Sequence, residues 1–319
     1  MPKMRDRGDS VLDVGVTEDE PDRDLLLAAI RENSFKPVVA MNQTTGLQLA
    51  QLRHATGVAS GTVGIAEEFL AGSRLAPGDF EVPGSILKYF DDSSQVMLAQ
   101  GGQRAVPAEG SVELPPPVRL PLDVGTALRK RRSRREYTGD PITLPQLSTL
   151  LWAAAGVTGK VLSELTSGSV ATISCRTAAS GGGLFPIDVY VVGLRVTGLD
   201  PDVYLYSPPR HGLLPCDADV GEVLEGLHLP DDQISGRELA AAFLFVGSPW
   251  KSMRKYGARG VRYMFIEAGA MSQGLHLART ALELGGVDYG GFYDSATNRA
   301  LGLDGRYETV VHAVVCGVE

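Results

Sequence analysis

At 319 residues, 44% hydrophobic and 21% charged, the chain has the length and composition of a globular protein that can bury one large core or two smaller ones. Its net charge of −8 argues against the broad basic field of a general nucleic-acid binder, and apolar runs such as 240–246 fall far short of the roughly 20 residues of a membrane span. Residues 1–24 mix acids, Glu18, Asp19 and Glu20 among them, with arginine, and lack the apolar centre of a secretory signal; a mobile acidic leader and a cytoplasmic location are expected. Asp24 is placed to cap a helix through Leu25, Leu26, Ala29 and Ile30, and the apolar spacing over 45–70 suggests further helices broken near Gly57 or Ser60-Gly61. Residues 25–98 thus read as an N-terminal helical region without an assigned role. The Gly/Pro-rich tract 99–118, ending in Pro115-Pro116-Pro117, reads as a linker to a domain over 119–319.

Beyond the linker the pattern is more regular. Asp123 caps a short helix to Lys130, and Thr143-Leu144-Pro145 opens another that carries Leu147, Leu150, Leu151 and Trp152. The β-branched run 187–196 predicts a central strand, 203–206 and 213–214 a hairpin, and 241–247 a second buried strand. Over 261–284, Val261, Met264, Ala268, Met271, Leu275, Ala278 and Leu282 recur at steps of three and four, with Gly285-Gly286 as the expected stop. Such a helix runs ~36 Å, and its small residues Ala268, Gly269, Ala270 and Gly274 suit close packing against another helix or a second subunit. A final strand is expected at 309–317. Cys175, Cys216 and Cys316 form no CxxC pair, and the five histidines no HExxH pattern, so neither a disulfide framework nor a metal site is expected. No GxGxxG follows the first strand, which argues against a dinucleotide-binding Rossmann unit.

Three stretches carry potential chemistry. Lys255-Tyr256 places an amine beside a phenol ahead of the long helix; the pair is either a solvated cation next to a ring or a proton acceptor and its helper, given an electron acceptor nearby. The run from Arg129 to Tyr137 sets six cations in seven positions of an acidic chain. It reads as a solvated basic face, a nucleic-acid patch, or a phosphate pocket built from guanidinium forks and one hydroxyl. Ser180-Gly181-Gly182-Gly183 ahead of a strand is either a flexible turn or backbone cleared for a flat aromatic ligand, and Gly290-Gly291-Phe292 admits the same two readings.

In their order these stretches make residues 119–319 resemble the flavin-dependent nitroreductase superfamily, and within it the azoline dehydrogenases of the streptolysin and microcin type. The Arg-x-Ser-x-Arg-x-aromatic pattern is matched by Arg131, Ser133, Arg135 and Tyr137. The family's Ser-Ala-Gly-Ala-Leu-Tyr-Pro-like turn is matched by Ser180-Gly181-Gly182-Gly183-Leu184-Phe185-Pro186. Its Lys-Tyr-Gly-x-Arg-Gly-x-Arg run is matched from Lys255 to Arg262, followed by Glu267-Ala268-Gly269 and Gln273. Gly290-Gly291-Phe292 and Leu301-Gly302-Leu303-Asp304-Gly305 resemble later family segments, and 66–75 resembles one that precedes the catalytic domain. Ala179 stands where proline is usual and Gly274 where asparagine is common.

The resemblance implies an α+β, three-layer nitroreductase-like fold with a mostly antiparallel central sheet flanked by helices, in a homodimer. It implies FMN held by Arg131, Arg132, Ser133, Arg135, Ser180, Gly181, Gly182, Gln273, Gly290 and Gly291. The implied reaction turns a thiazoline or oxazoline of a ribosomally made precursor peptide into the aromatic azole, alongside a cyclodehydratase complex, with dioxygen as final acceptor. Lys255 or Tyr256 would be the base, its pKa shifted by burial or by the neighbouring cations Arg254 and Arg259. The alternatives are a flavin oxidoreductase for a carrier-bound heterocycle, an NAD(P)H-dependent nitro or quinone reductase, and a non-catalytic scaffold docking through residues 1–110.

Overall fold

The computed structural model describes residues 69–70, 72–75, 77, 80–91, 110–164, 168 and 170–319. The acidic leader, the helix expected after Asp24, the helices expected up to residue 68 and the linker up to residue 109 lie outside the described residues. The chain divides into two units, Met1–Gly72 and Ser73–Glu319.

In chain order the second unit opens with α1 (Glu81–Asp91), followed by β1 (Val112–Glu113) in the tail of the expected linker. Next come α2 (Val124–Lys130), β2 (Ile142–Thr143) and α3 (Leu144–Ala155). Asp123 caps α2 by accepting from the Thr126 amide, while Thr143 and Gln146 form a reciprocal capping box on α3 with Pro145 in its first turn. A hairpin, β3 (Val157–Glu164) and β4 (Val170–Arg176), leads to a single helical turn at Gly181–Gly183. Then follow β5 (Ile187–Gly193), β6 (Val196–Thr197), β7 (Asp202–Ser207), β8 (Gly212–Pro215), α4 (Val220–Leu227) and β9 (Ala241–Gly247). The chain closes with α5 (Pro249–Tyr256), α6 (Arg259–Ala281), β10 (Leu284–Tyr289), α7 (Asp294–Ala300) and β11 (Thr309–Val318).

Seven strands form one sheet in the order β1-β8-β7-β5-β9-β11-β10, and every neighbouring pair is antiparallel. One face buries Val189, Val191, Phe243, Phe245 and Val314 against Leu147, Leu150 and Leu151 of α3 and Met264, Met271 and Leu275 of α6. The opposite face buries Tyr190, Leu244, Val246, Ala313 and Val315 with Val223 and Leu227 of α4 and Ala300 of α7. All seven residues of β9 are buried because helices cover both its faces, which explains its unbroken apolar sequence. Each large side chain sealed there contributes about 1.5–3 kcal/mol.

Two expected boundaries move. The strand predicted over 187–196 ends at Gly193; Leu194 and Arg195 turn to donate to the Ala240 carbonyl, and Val196–Thr197 pairs in parallel with β2 instead. The long helix starts at Arg259 and stops at Ala281, reversing through Glu283 at φ 58°. Gly285 and Gly286 do not stop it. They lie inside β10, opposite Gly317 and Cys316, where the Tyr137 ring and the Arg279 side chain approach too closely for a larger residue.

Candidate functional site

Pro249 sits in the first turn of α5, where a missing amide N–H costs no helical hydrogen bond, and the last turn carries Lys255 and Tyr256 before Gly257 ends the helix. Lys255 is 4% exposed. The two side chains converge on the Gly181–Gly183 turn, where Gly182 has φ 69°. A side chain there would collide with the Tyr256 hydroxyl and come within 2.9 Å of Lys255 Nζ, so the glycine is required both by its backbone and by its neighbours. Two stretches more than 70 residues apart in sequence are thereby joined. The Ser180 hydroxyl accepts from the Phe185 amide at 2.9 Å and steadies the turn, while the Arg176 guanidinium lies 4.1 Å from the Phe185 ring centre.

Burial pushes the Lys255 amine below its ordinary value. The cations expected to do this are engaged elsewhere: the Arg254 guanidinium lies 4.6 Å from the Trp250 ring centre, and Arg259 donates to the Ser73 carbonyl at 3.0 Å and the Tyr263 hydroxyl at 3.2 Å. Burial, and then the nearby Tyr263, push the Tyr256 phenol up. Burial thus shifts the amine toward its neutral form and the phenol toward its protonated form, which makes Lys255 the better proton acceptor of the two.

Beneath the turn lies a charged set that the sequence reading gave no role. Glu267 of α6 is 2% exposed, and its carboxyl is raised to about 7 by burial, against the opposing effects of the Ser180 hydroxyl, Arg176 and Lys251. Lys251 Nζ pairs with Asp188 at 3.2 Å. Around them Arg176 Nε, Glu267 Oε2 and the Ser248 and Ser252 hydroxyls are buried without a hydrogen-bond partner.

The basic run occupies extended chain between α2 and β2. Tyr137 anchors it, with its ring buried and its hydroxyl donating to the Arg134 carbonyl at 2.9 Å. Arg132 folds back onto the carbonyls of Arg129 and Arg131, both at 2.9 Å. Among the described residues the side chains of half-buried Arg131 and of exposed Ser133 and Arg135 make no hydrogen bond or ion pair. An open cleft of about 630 Å³ runs past Ser133, Arg135, Thr138, Gln233 and Glu319. Two guanidinium groups and a hydroxyl without protein hydrogen bonds are a donor set that fits a phosphate dianion, while Arg134 beside them pairs with Glu319 at 3.6 Å.

Arg279, 1% exposed, supports this run from behind. It donates to the Arg132 carbonyl at 2.7 Å, the Leu284 carbonyl at 3.1 Å and His276 Nδ1 at 2.7 Å. A guanidinium only donates, so the His276 proton is assigned to Nε2, which lies 2.9 Å from Asp288 Oδ2 though off the line of a well-formed hydrogen bond. Asp288 also accepts from Ser272 at 2.5 Å and lies 2.7 Å from His312 Nε2. Burial alone would raise its pKa, but His276, His312 and Ser272 together hold it well below the usual carboxylate range. Sequence spacing hides this group, since its members come from α6, β10 and β11.

Gln273 is exposed on α6, and Gly290 and Gly291 are exposed beyond the end of β10. Gly274 faces inward: a side chain there would strike the Ala153 carbonyl of α3, so its small size serves packing within the chain. Gly269 has open space beside it. Among the described residues no helix is long and apolar enough to cross a membrane, and no cluster of three or more metal-binding side chains occurs.

Comparison with known proteins accords with this architecture. A Methanocaldococcus jannaschii protein named as a nitroreductase is 35% identical over 176 residues, covering 54% of this chain and 81% of its own. A crystal structure of a Ralstonia eutropha protein, also named as a nitroreductase, aligns with TM-score 0.53 and 27% identity over 67% of this chain and 92% of that one. The fold is shared as well with a chain of the Escherichia coli microcin synthetase complex solved with truncated pro-MccB17 bound, with TM-score 0.50 and 20% identity over 78% of this chain and 99% of that one. Residues 128–318 match the description "Nitroreductase family", whose members are generally flavin-dependent oxidoreductases, and the chain belongs to that family.

Proposed function

We propose that the protein is an FMN-dependent dehydrogenase that oxidises thiazoline or oxazoline rings of a precursor peptide to thiazoles or oxazoles. The observation that carries this reading is the buried Lys255 amine held with Tyr256 against the Gly182 turn. Aromatising the ring removes a hydride equivalent from one carbon and a proton from its neighbour. Lys255 takes that proton at Nζ, and the protonated Tyr256 hydroxyl orients the reacting ring by donating a hydrogen bond. Arg131, Ser133 and Arg135 would hold the FMN phosphate, with Arg132 lending positive charge nearby. The exposed Gln273, Gly290 and Gly291, and the turn Ser180-Gly181-Gly182, would line the remainder of its site. FMN, when bound, supplies the two-electron acceptor for the hydride equivalent, with dioxygen as the final oxidant.

The reading includes a homodimer, as the family resemblance implies, in which each site draws on both subunits. Phe265 and Ile266 on α6, 50% and 67% exposed, with the open side of Gly269, supply an apolar face for the partner. The precursor peptide, and a cyclodehydratase to form its azolines, are the partners that the reading requires.

The test is anaerobic bleaching of bound FMN by a synthetic peptide carrying one thiazoline. Bleaching with formation of one thiazole per flavin is expected. A wild-type protein that no azoline peptide bleaches, but NADPH does, is instead a reductase of the kind named among its relatives.

A further inference from the structure

The amine of Lys255 is enclosed partly by residues from upstream of the Gly/Pro-rich tract. α1 lies against α5, and the Tyr89 ring presents its face to Lys255 Nζ, 4.6 Å from the ring centre. Tyr89 is 6% exposed. Three hydrogen bonds fasten the same segment down: Ser85 donates to the Arg254 carbonyl at 3.0 Å, and Ser73 receives Arg259 on its carbonyl at 3.0 Å and Arg262 on its hydroxyl at 2.8 Å. Every one of these anchors ends on α5 or the start of α6, the elements that carry and follow the Lys-Tyr pair. Burial and the nearby Tyr256 raise the Tyr89 phenol to about 12, which keeps its ring neutral and its π face available to a cation.

We propose that Tyr89 is a positioning residue for Lys255, so that residues 73–91 form part of the catalytic site and not merely a spacer before it. A long, flexible amine has rotamer freedom to lose, and a ring against its charged form both restricts it and favours the ammonium. Tyr89 then opposes, in part, the lowering that burial imposes on Lys255. Among the described residues, the Tyr256 ring also lies 5.4 Å from the amine, with Tyr263 edge-on to that ring, and the charged groups on the same two elements are Arg254 on α5 and Arg259 on α6.

The inference rests on Lys255 being the base, and the experiment separates the two. Tyr89→Leu, Tyr89→Phe and Lys255→Ala are compared with wild type by anaerobic flavin reduction with the thiazoline peptide, normalised to bound flavin. In parallel, the pH dependence of Lys255 acylation by acetic anhydride is read by peptide mass spectrometry on each protein without substrate. Tyr89→Leu should lower the limiting rate about tenfold or more with KM little changed, and move the Lys255 labelling midpoint down by about half a unit to one and a half units. Tyr89→Phe, which keeps the ring, should restore both. Unchanged rate and labelling in Tyr89→Leu, or equal damage in Tyr89→Phe, would overturn the proposal. If Tyr89→Leu does not fold, Tyr89→Met carries the same expectation. Should Lys255→Ala retain the wild-type rate, the base assignment fails, while the labelling midpoint still reports whether Tyr89 holds the amine.

Discussion

At the residue scale, individual side chains carry distinct expectations. Lys255→Ala should retain flavin and lose about 10² to 10⁴-fold in the rate of flavin reduction, as general-base removals do, and Tyr256→Phe should lose less because it removes a helper. Stopped-flow reduction normalised to bound flavin checks both, and wild-type rates in both would end the catalytic assignment. Glu267 makes a separate claim about stability. Its carboxyl titrates at about 7 in the fold and near the ordinary 4.5 when unfolded, so between these values the unfolded chain has lost a proton that the native chain keeps. Stability should therefore fall as pH rises from about 4.5 to 7 and level off above. Glu267→Gln should flatten that dependence, measured by urea unfolding across this window; an unaltered slope would show that Glu267 is not the group responsible. The double variant Arg131→Ala with Arg135→Ala should purify with little flavin, since each charge-assisted contact is worth about 1.5–3 kcal/mol and its loss weakens binding tenfold or more. Full occupancy by absorbance would exclude this phosphate site.

At the element scale, α6 carries an inward face and, on the proposed reading, a face for a partner subunit. Its inward stripe, Met264, Ala268, Met271 and Leu275, seals one face of the sheet. Gly274 lets α3 approach, so Gly274→Leu should cost about 1–3 kcal/mol or more by overpacking, seen as a lower urea midpoint whatever the oligomeric state. Gly269→Leu meets open space within its own chain, so it should leave protomer stability nearly unchanged and instead weaken association and flavin content. Equal effects on folding from both substitutions would show that the two glycines do not face different partners. The hairpin of β3 and β4 had no anticipated counterpart, because Val161, Leu162 and Val170 are exposed and leave no alternation of buried and polar positions to read.

At the scale of the whole molecule, the proposed reading calls for a dimer. Light scattering of the flavin-loaded protein should give twice the mass of one chain, and Gly269→Leu should shift it toward one. A fully active, flavin-loaded monomer would require both residue sets to meet within one chain. That outcome would overturn the dimer part of the proposal.

Local signals were enough to identify several elements: Asp123 and Thr143 as caps, the apolar run of β9, the stripe of α6 and the strand at the C-terminus are written in short-range pattern because capping, burial and periodicity act over a few residues. The motifs also marked which residues to inspect. Three-dimensional packing decided how they work. It assigned the lowering of Lys255 to burial rather than to Arg254 or Arg259, since side-chain direction and not sequence distance sets an electrostatic environment. It turned Gly285 and Gly286 from a helix stop into strand positions under Tyr137 and Arg279, and it brought Tyr89, Gly182 and Lys255 together from remote parts of the chain. Such contacts close loops of many tens of residues, and only the folded sheet and its helices fix where those loops end.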